Sequence, residues 1–137
     1  MNVLRASLLA ACVCVSSLAM AVESATTPAV VIAKGKQGQA PVQVVYDYLL
    51  DRVANEYGIG EYQRLNIQQQ SPSVEEFNQV NLTLTKDGLL DDSVATQRYR
   101  FVLNFEPQAG VWLINSVTQD WQCRRGNKKA WTQKPCR

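Results

Sequence analysis

Arg98-Tyr99-Arg100-Phe101-Val102-Leu103-Asn104-Phe105-Glu106 decides the architecture. Tyr99, Phe101, Leu103 and Phe105 alternate with Arg100, Val102 and Asn104, the period-2 pattern of a strand with one buried and one wet face. Working outward, Val80, Leu82 and Leu84 alternate with Asn81, Thr83 and Thr85 in the same way. Leu65 and Ile67 form a shorter alternation before Ser71-Pro72-Ser73 breaks it. On the other side, Glu106-Pro107-Gln108-Ala109-Gly110 is a turn, and a last strand is expected from Val111 to about Cys123. Its apolar phase shifts between Ile114 and Val117. A bulge near Asn115-Ser116 would account for the shift and re-aim Trp121 and Cys123.

Ahead of these strands lies one helical pattern, residues 41–57. Pro41 suits the first helical position, where its missing N–H has no partner to lose. Val42, Val45, Tyr46, Leu49, Leu50, Val53 and Tyr57 recur at three- and four-residue steps, with Gln43, Asp47, Asp51, Asn55 and Glu56 opposite. Gly58 is a candidate stop. The expected fold is α+β: one amphipathic helix packed on a curved antiparallel sheet of about four strands.

The helix followed by strands, ending in Val111-Trp112-Leu113-Ile114-Asn115-Ser116-Val117 and Trp121-Gln122-Cys123, resembles the cystatin-like and NTF2-like small domains of secreted bacterial proteins. The resemblance spans residues 41–136 and implies a fold alone, because that architecture hosts enzymes, inhibitors and binding modules alike.

The chain has 137 residues. Residues 1–21 read as a signal peptide: Arg5 is their only charge, residues 6–19 are apolar or small, and Ala19-Met20-Ala21 supplies the small residues of a cleavage site. The apolar stretch falls short of the ~20 residues that span a bilayer, so no membrane span is expected after cleavage. Leu9-Ala10-Ala11-Cys12 also matches a bacterial lipobox, the alternative in which Cys12 carries a lipid anchor, although only residues 6–11 would precede it as apolar segment. The expected location is periplasmic or secreted. Residues 22–40, with Thr-Thr-Pro and Lys-Gly-Lys-Gln-Gly-Gln, read as a flexible N-terminal arm. Within it, Ala29-Val30-Val31-Ile32-Ala33 is either an edge strand or an adhesive segment. Residues 41–137 then form a single domain.

The charge is unevenly spread. Net charge is +2, yet Arg124, Arg125, Lys128, Lys129, Lys134 and Arg137 close the chain without one acid, and all 12 acids lie upstream. Four cysteines divide into Cys12 and Cys14 in the leader and Cys123 and Cys136 around the basic segment. In an exported domain the latter two are expected to pair. That would close a loop of five cations and Trp131 within twelve residues. Such a loop is a preorganised candidate anion-binding surface made of Arg124, Arg125, Lys128, Lys129, Trp131 and Lys134. Its cations suit phosphate or carboxylate, and Trp131 suits a base or sugar ring. The plainer alternative is a solvated loop with Trp131 folded back on the domain.

The chain contains no histidine. Ser-His-Asp and Cys-His nucleophiles, His-dependent zinc sites and the usual neutral-pH switch are therefore excluded. Glu75-Glu76 and Asp91-Asp92 are sequence neighbours, which seldom face each other across a bond as glycosidase carboxylates do. Asp47 and Asp51 share a helix face but are too few for Ca²⁺. Asn81-Leu82-Thr83 is a glycosylation sequon inside an expected strand. The sequence assigns no catalytic residue, no cofactor and no metal ligand. The expected function is a small exported binding or accessory protein whose partner is an anionic envelope polymer, a lipid head group, nucleic acid or an acidic protein. The alternatives are an NTF2-like pocket protein or enzyme using Tyr46, Tyr57, Tyr99 and a carboxylate between helix and sheet, and an inhibitor or envelope-assembly accessory using a sheet edge or the arm at residues 22–40.

Overall fold

The computed structural model describes residues 30–137; the leader and the first residues of the arm lie outside them. Among the described residues, five antiparallel strands form one sheet in the order β1-β5-β4-β3-β2: β1 Ala33–Lys34, β2 Arg64–Gln70, β3 Gln79–Asp87, β4 Val94–Glu106 and β5 Val111–Cys123. Two short helices, α1 Pro41–Tyr48 and α2 Leu50–Val53, follow one another with Leu49 between them. The α+β expectation holds, with one strand more than the four expected and a shorter, divided helix.

The additional strand comes from residues 22–40. The Ile32 N–H donates to Ile114 O (2.8 Å) and the Gly35 N–H to Trp112 O (2.8 Å), so this part of the arm is an edge strand on β5. Glycine at 35 is a packing requirement. A Cβ there would stand 2.5 Å from Val44 Cγ2 and 3.3 Å from Trp112 O, so the strand approaches α1 with no room for a side chain.

The helix begins as its sequence suggests and ends early. Pro41 is at the first helical position, and the Ala40 N–H donates to Gln43 Oε1 (2.9 Å). At Leu49 the turn tightens: its N–H is shared between Val45 O (3.0 Å) and Tyr46 O (3.2 Å). The end at Val53 is set by Asn55, not by Gly58. The Asn55 carboxamide oxygen accepts from the Tyr57 and Ile59 N–H groups, both at 3.0 Å, drawing the backbone out of the helix. Gly58, at φ 76°, completes that turn. Tyr57, expected on the helix's apolar face, is instead 78% exposed.

Val44, Val45, Leu49 and Val53 bury against Val80, Leu82 and Leu84 of β3, Tyr99, Phe101 and Leu103 of β4, and Ile114 of β5. Tyr48 meets Phe101 edge-on, ring centroids 6.0 Å apart. Each fully buried side chain of this kind stabilises by roughly 1.5–3 kcal/mol, and this single layer supplies the core. Among the described residues, none forms a helix on the opposite face of the sheet. On it stand Asn81, Thr83 and Thr85 of β3, Thr96, Arg98, Arg100 and Asn104 of β4, and Thr118, Asp120 and Gln122 of β5.

The expected bulge is present. Val102 pairs with Ser116 and Leu103 with Ile114, so Asn115 is the extra residue. Its carboxamide oxygen accepts from Asn104 Nδ2 (2.8 Å), and its own Nδ2 donates to Val30 O (3.0 Å). From there on, odd-numbered residues of β5 share the helix side and even-numbered ones the open side. Asp120 therefore reaches the open face.

Candidate functional site

β5 ends at Cys123, which is bonded to Cys136 (Cα–Cα 5.4 Å) and closes residues 124–135 into a loop, as expected. The returning chain lies along the outer edge of β5. Trp121 and Thr132 exchange both backbone hydrogen bonds, at 3.0 and 2.9 Å. Trp121 Nε1 donates to Lys134 O (2.8 Å) and Gln122 Nε2 to Lys129 O (3.0 Å). The loop is thus held covalently at its ends and by hydrogen bonds in between.

The antiparallel alternation that sets Thr132 opposite Trp121 sends Trp131 to the open face of the sheet. There the Arg98 guanidinium carbon sits 3.8 Å from the centre of the Trp131 ring. Arg98 Nε and Nη2 both donate to Asp120, at 2.9 and 2.6 Å, and Arg100 Nη2 adds a third bond at 3.0 Å. Asp120 is 4% exposed. The hydrogen bonds from Arg98 hold its carboxyl below the ordinary value despite burial, with the charges of Arg98 and Arg100 adding to the effect.

The candidate anion-binding residues separate into two groups. Arg124 is tied to the domain: its Nε donates to Asp91 O and its Nη2 to Leu89 O, both at 2.5 Å, and its N–H to Ser93 O (2.8 Å). One ring face of Trp131 is taken by Arg98. Arg125, Lys128, Lys129 and Lys134 are exposed, and the ion pairs found among the described residues involve none of them. The structure brings these four cations onto one covalently closed loop.

A second locus lies where α2 ends against the sheet, and the sequence reading missed it. Lys86 continues the inward stripe of Val80, Leu82 and Leu84 and is 7% exposed. Its Nζ donates to Arg52 O (2.6 Å) at the helix's C-terminal end and stands 5.9 Å from the Tyr99 ring centre. Burial, with Arg52 adding repulsion, lowers its pKa. Lys86 lines an open cleft of about 390 Å³ whose wall mixes Val53, Ile59 and Leu90 with the carboxylates of Asp51, Glu61 and Asp91. The tyrosines expected to share a pocket are dispersed: Tyr99 is in the core, Tyr46 is half-buried on α1 and Tyr57 is in solvent. The strand phase of residues 80–86 carries the signal for Lys86.

Among the described residues no three His, Cys, Asp or Glu side chains gather as a metal-binding group, and no helix is long and apolar enough to cross a membrane. No protein-family model, curated protein or solved structure matches this chain.

Proposed function

We propose that the protein is exported with loss of residues 1–21, resides in the periplasm or outside the cell, and acts as a small non-enzymatic binding protein. Its contact surface is the closed basic loop, and its partner bears phosphate or carboxylate groups. The observation that carries this reading is that Arg125, Lys128, Lys129 and Lys134 are exposed on a loop fixed by Cys123–Cys136 and by the Trp121–Thr132 bonds. A preorganised loop loses less conformational entropy on binding than a free tail. A disulfide is compatible with an oxidising compartment. Arg124 belongs to the frame of this surface, and Trp131 is packed beside it on Arg98.

The probe is long-chain polyphosphate, titrated at low and moderate salt. Binding should weaken steeply with salt, because each phosphate contact releases a counterion. The Arg125→Ala/Lys128→Ala/Lys129→Ala/Lys134→Ala variant should bind at least tenfold more weakly. Equal binding by that variant would remove the loop from the proposal. Intact mass of the exported protein tests cleavage after Ala21.

A further inference from the structure

The two edges of the sheet are finished differently. The outer side of β5 is covered in two places, by the Ile32 and Gly35 N–H groups at residues 112–114 and by Thr132 at Trp121. On the other side β2 is the last strand among the described residues, seven residues long, with six of them exposed and Leu65 half-buried.

The hydrogen-bond phase shows which of its groups are open. The Phe105 N–H donates to Asn78 O (2.7 Å), so the even-numbered residues of β3 bond toward β4 and the odd-numbered ones toward β2. By the register, Arg64, Asn66, Gln68 and Gln70 bond to β3, while Leu65, Ile67 and Gln69 direct their N–H and C=O groups away from the sheet. The same count carried to β5 turns Trp112 and Ile114 outward, and these are the residues that accept from Gly35 and Ile32.

Edge strands in monomeric proteins are commonly blunted by proline, lysine, a bulge or a covering segment. Arg64-Leu65-Asn66-Ile67-Gln68-Gln69-Gln70 has no proline and no lysine, pairs with β3 without a register shift, and carries one charge, at its first residue.

We propose that β2 pairs antiparallel with β2 of a second copy of this chain, about a two-fold axis at Ile67, joining two five-stranded sheets into one of ten strands. The strand is self-complementary in that register. Ile67, 37% exposed, meets Ile67 of the other copy on the helix side. Asn66 faces Gln68 on the open side, where two carboxamides can bond to each other. Arg64 faces Gln70, so the two arginines stand at opposite ends and no like charges meet. The register uses all seven residues. Because the other edge of each copy is already covered, the contact closes at two copies and does not propagate into a fibre. The pairing places the two basic loops on the two outer flanks of the dimer, but it stands independently of what those loops bind.

Sedimentation equilibrium over a broad concentration range tests the proposal, with two proline variants as a matched pair. Gln69→Pro removes an outward N–H and leaves the β3 ladder intact; Gln68→Pro removes an N–H that β3 uses. The wild-type protein should pass from monomer to dimer with rising concentration. Gln69→Pro should stay monomeric with an unfolding midpoint near wild type, while Gln68→Pro should unfold earlier. Ile67→Lys puts like charges on the two-fold axis, tolerates solvent in the monomer, and should also stay monomeric. A wild-type protein that is monomeric throughout, one that forms larger species, or an Ile67→Lys variant that dimerises as wild type does would each overturn the proposal.

Discussion

The guanidinium of Arg98 lies over the ring of Trp131, joining the middle of β4 to the disulfide-closed tail. Beneath it, Asp120 accepts two bonds from Arg98 and one from Arg100. The side chains of Arg98 and Arg100 are 22% and 49% exposed and that of Asp120 only 6%, so the carboxylate is the desolvated member. Removing the acid leaves Arg98 and Arg100 side by side without their shared carboxylate. Breaking a fully buried pair costs roughly 3–5 kcal/mol. With both arginines still reaching solvent, Asp120→Ala is expected to cost about 2 kcal/mol in urea unfolding. The same variant should loosen Trp131, seen as faster quenching of its fluorescence by acrylamide in a background where Trp112 and Trp121 are phenylalanine.

Acid should weaken the protein through the same carboxylate. Hydrogen bonds from Arg98 hold Asp120 below the ordinary carboxylate value, and the Val94 and Ser93 N–H groups, at 2.6 and 2.7 Å, do the same for Asp91. A carboxyl with a depressed native pKa contributes stability that is fully present above its unfolded value, about 3.9, and is lost as pH falls through the native value. Thermal unfolding midpoints should therefore hold from neutral pH down to about pH 5 and drop progressively as pH falls through about 4 and below, and Asp120→Asn should flatten part of that drop. Lys86 acts in the other direction. Its native pKa is lowered by burial, so the unfolded chain holds the proton more tightly and this group's contribution rises as pH climbs toward its ordinary value. Lys86→Met should remove that alkaline rise.

Where the sequence was legible, a local pattern was enough. The stripe of Tyr99, Phe101 and Leu103 fixed one strand and its buried face, and the phase break after Ile114 located the bulge at Asn115. The same alternation carries Lys86 inward, although Lys86-Asp87-Gly88 also has the composition of a turn. Three features depend on partners distant in the chain. β1 is two residues long and exists only because β5 offers it an edge. The Arg98–Asp120 pair needs the register after the bulge. Arg124 becomes structural only when the loop at residues 89–93 is beside it. Apolar periodicity alone extends the helix to Tyr57, whereas Asn55 offers the backbone a competing turn that ends it at Val53.

Gly35 fixes how closely β1 and α1 approach. In Gly35→Ala the new methyl would meet Val44 Cγ2, a branched side chain that is itself 4% exposed and has little freedom to move. Overpacking of this kind costs roughly 1–3 kcal/mol. Val44→Ala alone leaves a small cavity and is also destabilising. Together the two changes should cost less than their sum, because the second makes room for the first. Urea unfolding of the two single variants and the double variant measures that coupling, and simple additivity would show that Gly35 is not there for the contact with Val44.

Reducing the disulfide separates the sheet from its tail. The closed segment spans a sequence separation of 13, for which the chain-entropy account gives a loss of about 3 kcal/mol. Yet Cys123 lies at the end of β5, and the core that Val45, Leu49, Leu82, Phe101 and Leu103 build does not include the segment it closes. The Cys123→Ser/Cys136→Ser variant should therefore keep its sheet signal in far-ultraviolet circular dichroism at room temperature and unfold at lower urea. Held then by the bonds of Arg124 and by those at Trp121, Gln122 and Arg98, residues 124–137 should open locally more often. Limited trypsin digestion reads this directly, since Arg124, Arg125, Lys128, Lys129 and Lys134 are all cleavage sites and only the last precedes proline. Cleavage at the first four should speed up at least tenfold in the variant, ahead of any cut at Arg98 or Arg100. If the strand sites are cut as fast as the loop sites, the disulfide supports the whole fold and not the loop alone.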